Sequence, residues 1–269
     1  MLCIEDRNLH EALPTMCKLL TKRGYKIADD KVLRLDGPLS IKIMKPIERV
    51  SFHSDLVMDP FAFFFAGMQM LFANVKGLQE FGKMLREDKV GMAFVVNILD
   101  TYAVFQRNRE RDLDVFVTGR SSDPIQDTIV TSMMQEVMAH LADCPVGSLT
   151  WQSTNVHIDI ERAGESCEKV AAEIDKGSPY AAGDVKPHKI IDIPMNRWLR
   201  ELDTFSKQQH RGTYSELFFS NVVTPLYQAG ISLKEGMFGQ AQAQLDACFA
   251  TDWRTACYNW TISQSLRTQ

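Results

Sequence analysis

A guanidinium and a hydroxyl stand side by side at Arg120 and Ser121, in the run Gly119-Arg120-Ser121-Ser122-Asp123 that follows an apolar β-like segment. Such a pair can hold one phosphate, because the planar guanidinium offers two charge-assisted bonds to phosphate oxygens and the hydroxyl adds a third donor. Trp151 comes next, and six residues after it stands His157, where an imidazole on another strand can bond a sugar hydroxyl. This is the chemistry of a nucleotide site. Arg120 has a second reading, as a partner of Asp123 at a helix start where an acidic residue complements the helix dipole. His157 also has one, as a satisfied core histidine.

The elements that must position these groups are legible on either side of them. Met92 to Phe105 and Leu113 to Thr118 are strongly β-like, and the charged run Arg107 to Asp112 between them reads as a solvated hairpin turn. From Asp123 to about Leu141 the positions Ile125, Ile129, Met133, Met134, Val137 and Leu141 repeat at helical spacing. Ser148 to Ile160 returns to β. Upstream, Asn8 to Arg23 predicts an amphipathic helix stopped by Gly24, and Val32-Leu33, Leu39 to Met44 and Val50 to Phe52 predict two or three strands around the turn Asp36-Gly37-Pro38. Asp59-Pro60 opens a Phe-rich helix, and a shorter one spans about Leu78 to Arg86.

After Glu165 a helix to about Ile174 is followed by a Gly- and Pro-containing loop, Gly177 to Pro187. Helical segments then run over about Pro194 to Gln208, Thr213 to Tyr227, Leu233 to Ala250 and Trp253 to Leu266. The fold class is therefore α+β, a mixed β-sheet packed by long helices with an all-helical C-terminal extension. Residues 1–180 form the core, and 181–269 pack on the same domain. In the extension, Phe238, Leu245, Phe249, Trp253, Cys257, Trp260 and Ile262 make an apolar stripe that reads as core or as a partner surface.

Composition narrows the function. With 269 residues and 45% hydrophobic content the chain can bury a substantial core. A net charge of −4 and a pI near 5.9 give no global attraction to nucleic acid or to an anionic membrane, so any anion must be held locally. The six cysteines show no metal-ligand spacing and read as reduced thiols of a cytosolic protein, with no metal. Met1 to Arg7 carries charge where an export signal is apolar. The apolar stretch Leu56 to Val75 is interrupted by Asp59, Pro60, Gln69 and Asn74, which reads as a buried helix and not a membrane span. The expected location is cytoplasmic.

The order strand, charged hairpin, strand, Arg-Ser-x-Asp, long helix, then a strand carrying Trp and His resembles the thymidylate synthase and pyrimidine (dCMP, dUMP) hydroxymethylase family. There a Tyr-Gln-Arg-Ser-x-Asp run precedes the long helix and Trp-x5-His-x-Tyr follows it; here the similar stretches are Thr118 to Asp123 and Trp151 to Asp159, and Asp59-Pro60-Phe61 is similar to the family's Asn-Pro-Phe helix. The likeness covers roughly Val50 to Ile160. It implies that Arg120, Ser121 and Asp123 frame a nucleoside 5′-monophosphate, that His157 lies near the sugar, that the protein is a homodimer through a face of its sheet, and that a tetrahydrofolate derivative is the one-carbon donor.

The same resemblance shows where this chain departs. The family's cysteine nucleophile should stand twenty residues before the arginine, where the chain has Asp100, and no cysteine lies between Cys17 and Cys144. A carboxylate is a far weaker nucleophile toward the pyrimidine carbon than a thiolate. The catalytic Glu position is Ala66, the helix Trp is Gln69, the base-reading Asn is Thr131, and the Tyr after the histidine is Asp159. The family's folate-holding tail has no visible counterpart. Ordinary reductive methylation is thus expected to be lost, leaving a nucleotide-binding protein. The alternatives are an enzyme of altered one-carbon or base-modifying chemistry with Asp100 and Asp159 as acid and base, or an interaction protein built on the dimeric fold. Asp100 also reads as a strand-end residue meeting water. The pattern without a cysteine further resembles accessory synthase-like proteins of phages that modify pyrimidines in DNA.

Overall fold

Alternating burial defines the strands. Along β6 (Thr101–Arg107) Thr101, Ala103 and Phe105 are buried while Tyr102 and Gln106 are exposed, and β7 (Leu113–Gly119) buries Leu113, Val115 and Val117. This is the period of a sheet with one covered face. The computed structural model describes residues 1–27, 31–53, 59–87, 93–98, 101–119, 124–154 and 156–267.

Six strands form the main sheet in the order β1-β4-β8-β7-β6-β5. They are β1 (Leu2–Asp6), β4 (Leu39–Ile43), β5 (Ala93–Ile98), β6, β7 and β8 (Val146–Ser153). β1 with β4 and β7 with β8 are parallel pairs, and the remaining neighbours are antiparallel. A second, antiparallel sheet orders β2 (Gly24–Ile27), β3 (Val32–Leu35) and β9 (His157–Asp159).

Two long helices cover the inner face of the main sheet. Asp59 caps α2 (Pro60–Arg86), its Oδ1 accepting from Phe61 N at 2.9 Å and Ala62 N at 3.2 Å, and Pro60 occupies the first position, where an N–H would lack a partner anyway. The helix runs unbroken through the expected gap before Leu78. An interior glycine such as Gly77 costs about 1 kcal/mol, less than burial of Leu78, Phe81 and Leu85 contributes at about 1.5–3 kcal/mol each. α2 is long and apolar enough to cross a membrane by length and composition. Here it lies along α3 (Pro124–Ala142), and Gly67 and Gly82 permit the close approach: a Cβ at Gly67 would meet Met133, and one at Gly82 would come within 2.5 Å of Leu141 Cβ.

On the other side α1 (Leu9–Arg23), capped by Asn8, packs against α4 (Ile160–Ala171) and the β1, β3 and β4 strands. The C-terminal part comprises α5 (Pro179–Ala182), α6 (Met195–Gln208), a 3-10 turn at Gln209–Arg211, a π-helical turn at Phe219–Val223, α7 (Thr224–Lys234), α8 (Phe238–Asp246) and α9 (Thr251–Arg267). Trp253 of α9 meets Phe64 of α2 edge-on, with ring centroids 4.9 Å apart. In the π turn Thr224 N donates to Phe219 O. Pro225 has no N–H to give to Asn221 O, the carbonyl four residues back, and that oxygen instead accepts Phe249 N at 2.9 Å.

Several expected boundaries move. Where one segment was expected over Met92 to Phe105, the described residues form two antiparallel strands, β5 and β6, with Ile98 paired to Thr101. Ser148 to Ile160 divides between two sheets, and Ile160 already begins α4, eight residues being enough for β8 to cross the main sheet. Val50 to Phe52 is not a strand; its amides are taken by side chains, Val50 N by the Tyr180 hydroxyl at 3.3 Å and Phe52 N by His10 Nδ1 at 3.2 Å. Thr213 to Tyr227 becomes helical only near Leu217, and Leu233 to Ala250 divides at Gly236, which takes φ 75°.

Candidate functional site

β7, α3 and β8 form a β-α-β unit with β7 and β8 parallel. β7 ends at Gly119 and α3 starts at Pro124, so Arg120, Ser121, Ser122 and Asp123 make up the connection; they lie outside the described residues. Carboxyl ends of parallel strands are where open α/β sheets place ligands, and the start of a 19-residue helix carries the positive end of its dipole.

The ladder puts other ends at this same edge. Gly119 is opposite Thr101 on β6 and Ser153 on β8, and Ser153 is opposite Leu39 at the start of β4. Asp100 immediately precedes Thr101 in the chain but is itself outside the described residues. The hairpin Arg107 to Asp112 sits at the far end of the same two strands, with Arg107 opposite Leu113. At about 3.3 Å per residue that is about 20 Å from Gly119, so its arginines do not serve the junction within this chain. Arg107 instead donates to Leu85 O at 3.1 Å and to Ala142 O at 3.2 Å, capping the ends of α2 and α3.

Below the junction, α3 presents a polar stripe to the sheet at Asp127, Thr131 and Gln135, all buried. Trp151, fully buried on β8, donates Nε1–H to Asp127 Oδ2 at 3.1 Å, and Gln135 Nε2 donates to Leu113 O at 2.6 Å and Ser148 O at 3.1 Å. Thr131 Oγ1 has no hydrogen-bond partner among the described residues although it is buried. The structure thus places Trp151 and Thr131 within one helix-to-sheet interface, joined by Asp127, which sequence reasoning did not single out. An acidic residue one turn after Asp123 was the available signal.

His157 and Asp159 stand apart from that interface in the chain's secondary structure. They occupy β9 of the smaller sheet, with His157 opposite Arg34 and Asp159 opposite Val32; His157 is half-buried and Asp159 exposed.

A separate cavity of about 40 Å3 lies between α2, α3 and α9, lined by Ser51, His53, Phe63, Ile125, Trp253 and Asn259 among others. It has room for a few waters and not for a pyrimidine ring, and Thr131, Trp151, His157 and Asp159 do not line it. Its rim is held rigid. His53 Nε2 donates to His10 O at 2.9 Å, its Nδ1 faces Glu173 Oε2 at 2.6 Å, and the His10 and His53 rings stack at 4.0 Å. Burial pushes the His10 imidazole down to about 3, with His53 adding to the effect, so His10 stays neutral and its Nδ1 can accept from Phe52 N.

Behind the cavity Arg49, fully buried, donates Nε–H to Ser132 Oγ at 3.0 Å and pairs through Nη2 with Glu136 Oε2, whose other oxygen accepts Ile190 N at 2.8 Å. Buried Asp252 accepts from Tyr180 OH at 3.2 Å and His188 N at 3.1 Å, and burial raises its carboxyl above the usual range. These charges tie the 49–53 segment, α3 and α9 together; they were not foreseen. α9 therefore ends the described chain as a docked helix, with Trp253, Ala256, Cys257 and Thr261 buried.

No protein-family model matches the chain. It is similar to a deoxyuridylate hydroxymethyltransferase of Pseudomonas phage M6, 23% identical over an alignment of 332 positions that takes in 97% of this chain and 93% of that protein. The α+β architecture, with its mixed sheet and long helices, is compatible with a thymidylate synthase-like fold.

Proposed function

We propose that this chain is a divergent thymidylate synthase-like protein that binds a nucleoside 5′-monophosphate and has lost ordinary cysteine-dependent C5 methylation. The observation that carries the reading is the end-to-end similarity to a protein named for hydroxymethyl transfer to deoxyuridylate. The junction between β7 and α3 supports it, since Arg120, Ser121 and Asp123 connect a strand's carboxyl end to a helix N-terminus. The family resemblance assigns the base to Thr131, which is buried between α3 and the sheet, and the sugar to His157, which lies on the smaller sheet. With Asp100 at the nucleophile's position and Ala66 at the glutamate's, the covalent route is closed.

Calorimetry with dUMP and dCMP tests it. Binding is expected with wild type, and Arg120→Ala weakens it by about tenfold to a hundredfold, as loss of a bidentate phosphate contact does. No heat and no melting-temperature shift with any nucleoside monophosphate removes the proposal.

The register of Thr101 opposite Gly119 favours a second reading, in which Asp100 acts as acid or base in altered one-carbon or base-modifying chemistry; Asp159, the other carboxylate of that reading, lies on the smaller sheet. Product formation abolished by Asp100→Asn with binding intact would support it, and unchanged turnover would remove Asp100 from the reaction.

The outer face of the main sheet supports self-association. Val95, Tyr102 and Phe116, at 57%, 52% and 46% exposure, stand on adjacent strands with Val104 between them, an apolar patch that a second copy would cover. The proposed state is a cytoplasmic homodimer.

A further inference from the structure

A second cavity, of about 250 Å3, lies between α2 and the C-terminal helices, lined by Phe65, Met68, Gln69 and Phe72 on one side and by Leu202, Phe205, Ser206, Gln209 and Tyr227 on the other. It faces away from the β7–α3 junction. Phe65, Met68, Gln69 and Phe72 are one stripe of α2 at i, i+3, i+4 and i+7, whereas Gly67, which touches α3, points to another side of the helix.

Its walls are preset. Tyr227 meets Phe65 edge-on at 5.1 Å and 86°, and Phe205 at 5.7 Å and 88°, while His210 stacks behind Tyr227 at 5.5 Å. Phe72 remains 43% exposed at the mouth. Two local irregularities converge here. The π turn Phe219–Val223 immediately precedes α7 and fixes where Tyr227 points, and such turns cluster at functional sites. Gln209 holds φ 51° and ψ −133°, strained for a residue with a side chain, and its carbonyl is tied by the Tyr214 hydroxyl. Strain of this kind persists where surrounding structure enforces it, as in ligand clamps.

The lining also states what would fit. A dry cavity of about 150 Å3 takes a benzene ring, so this one takes a fused pair of rings and leaves any sugar in solvent. No charged side chain lines it, which selects a neutral occupant. The side chains of Gln69 and Gln209 line the cavity and are exposed to solvent, and each amide can donate and accept in the plane of a ring, as a glutamine does with the amino and ring nitrogens of adenine.

We infer that this cavity is a binding site for a neutral purine base, separate from the site at the β7–α3 junction. Adenosine titrated calorimetrically into the full chain is expected to bind with a Kd of about 0.1 to 1 mM, the range a half-open pocket gives so small a ligand. Ser206→Trp fills the cavity from an exposed helix position without removing core packing, and should weaken adenosine by about tenfold or more. Gln69→Leu should weaken it less. Titrating dUMP in parallel reports on the other site, which Ser206→Trp leaves unchanged, so failure at one site is distinguishable from failure at the other. Absence of adenosine binding, equal affinity in Ser206→Trp, or indole binding as tightly as adenosine would each overturn the inference.

Discussion

The indole of Trp151 donates to the Asp127 carboxylate at 3.1 Å, tying the C-terminal half of β8 to the first turn of α3. Both residues are 1% exposed, so this bond fixes against the sheet the helix start that follows the proposed phosphate-binding segment. Trp151→Phe withdraws a donor from a buried carboxylate and should cost about 1–3 kcal/mol. Urea unfolding measures it, and the same variant should weaken nucleotide binding even though the tryptophan need not touch the ligand. An unchanged midpoint would show that the bond does not hold α3 in place.

The two glycines of α2 should respond differently to alanine. In a helix interior the substitution gains about 1 kcal/mol of propensity. At Gly67 the added carbon meets the far end of the Met133 side chain, which can rotate, so the net effect is small. At Gly82 it lies 2.5 Å from Leu141 Cβ, next to backbone, and α2 and α3 must move apart. Thermal melting is expected to rank Gly82→Ala well below Gly67→Ala, and the opposite order would place the tight contact elsewhere.

His10 makes stability depend on pH. Its folded value, about 3, lies below the unfolded value of about 6.5. Between these limits the unfolded chain binds more protons, so this histidine's contribution is intact above about pH 6.5 and is lost as pH falls toward 3, by up to about 1.4 kcal/mol per pH unit. Burial raises the Asp59 and Asp252 carboxyls and acts in the opposite sense at acid pH. The comparison must therefore be between wild type and His10→Asn, which keeps an acceptor for Phe52 N. Unfolding free energies at pH 7.5 and 5 should diverge between them, with wild type falling more.

Breaking the buried pair of Arg49 and Glu136 should be among the costliest single changes. Arg49→Met leaves Glu136 uncompensated and is expected to lose about 3–5 kcal/mol. The double variant Arg49→Met with Glu136→Leu should recover only part of this, because Ile190 N then loses its acceptor. Full recovery would mean that Ile190 finds another partner.

Light scattering at micromolar concentration tests the outer sheet face. Wild type is expected to be a dimer and Phe116→Glu a monomer, since a charge on a covered apolar patch opposes association. A monomeric wild type would leave Val95, Tyr102 and Phe116 without the proposed role.

Much of this arrangement was legible because periodicity survives without tertiary knowledge. α1, α3, β4 and β7 lie within a residue of where Asn8 to Arg23, Asp123 to Leu141, Leu39 to Met44 and Leu113 to Thr118 put them. The misses share a cause. Leu99 and Asp100, the residues between β5 and β6 in the sequence, include no glycine, proline or asparagine, so two strands read as one. β1, Leu-Cys-Ile-Glu-Asp, is too short and too acidic to show alternation. Asp127 with Trp151 and Arg49 with Glu136 are partners 24 and 87 residues apart; their meeting depends on how α3 lies on the sheet, which local pattern does not encode. The Arg120-Ser121 motif was the clearest signal in the sequence because it is local.

The π turn before α7 also limits how this chain can change length. It accommodates one more residue than a regular helical stretch would, and Pro225 commits the displaced carbonyl of Asn221 to Phe249. Deleting a single residue between Phe219 and Val223 would swing everything after it by about 100° around the helix axis, carrying Tyr227 off Phe65 and stranding the Phe249 amide. Surface loops in general absorb insertions and deletions. That turn counts residues, and a gap there should be far less tolerated than a substitution at any one of its five positions.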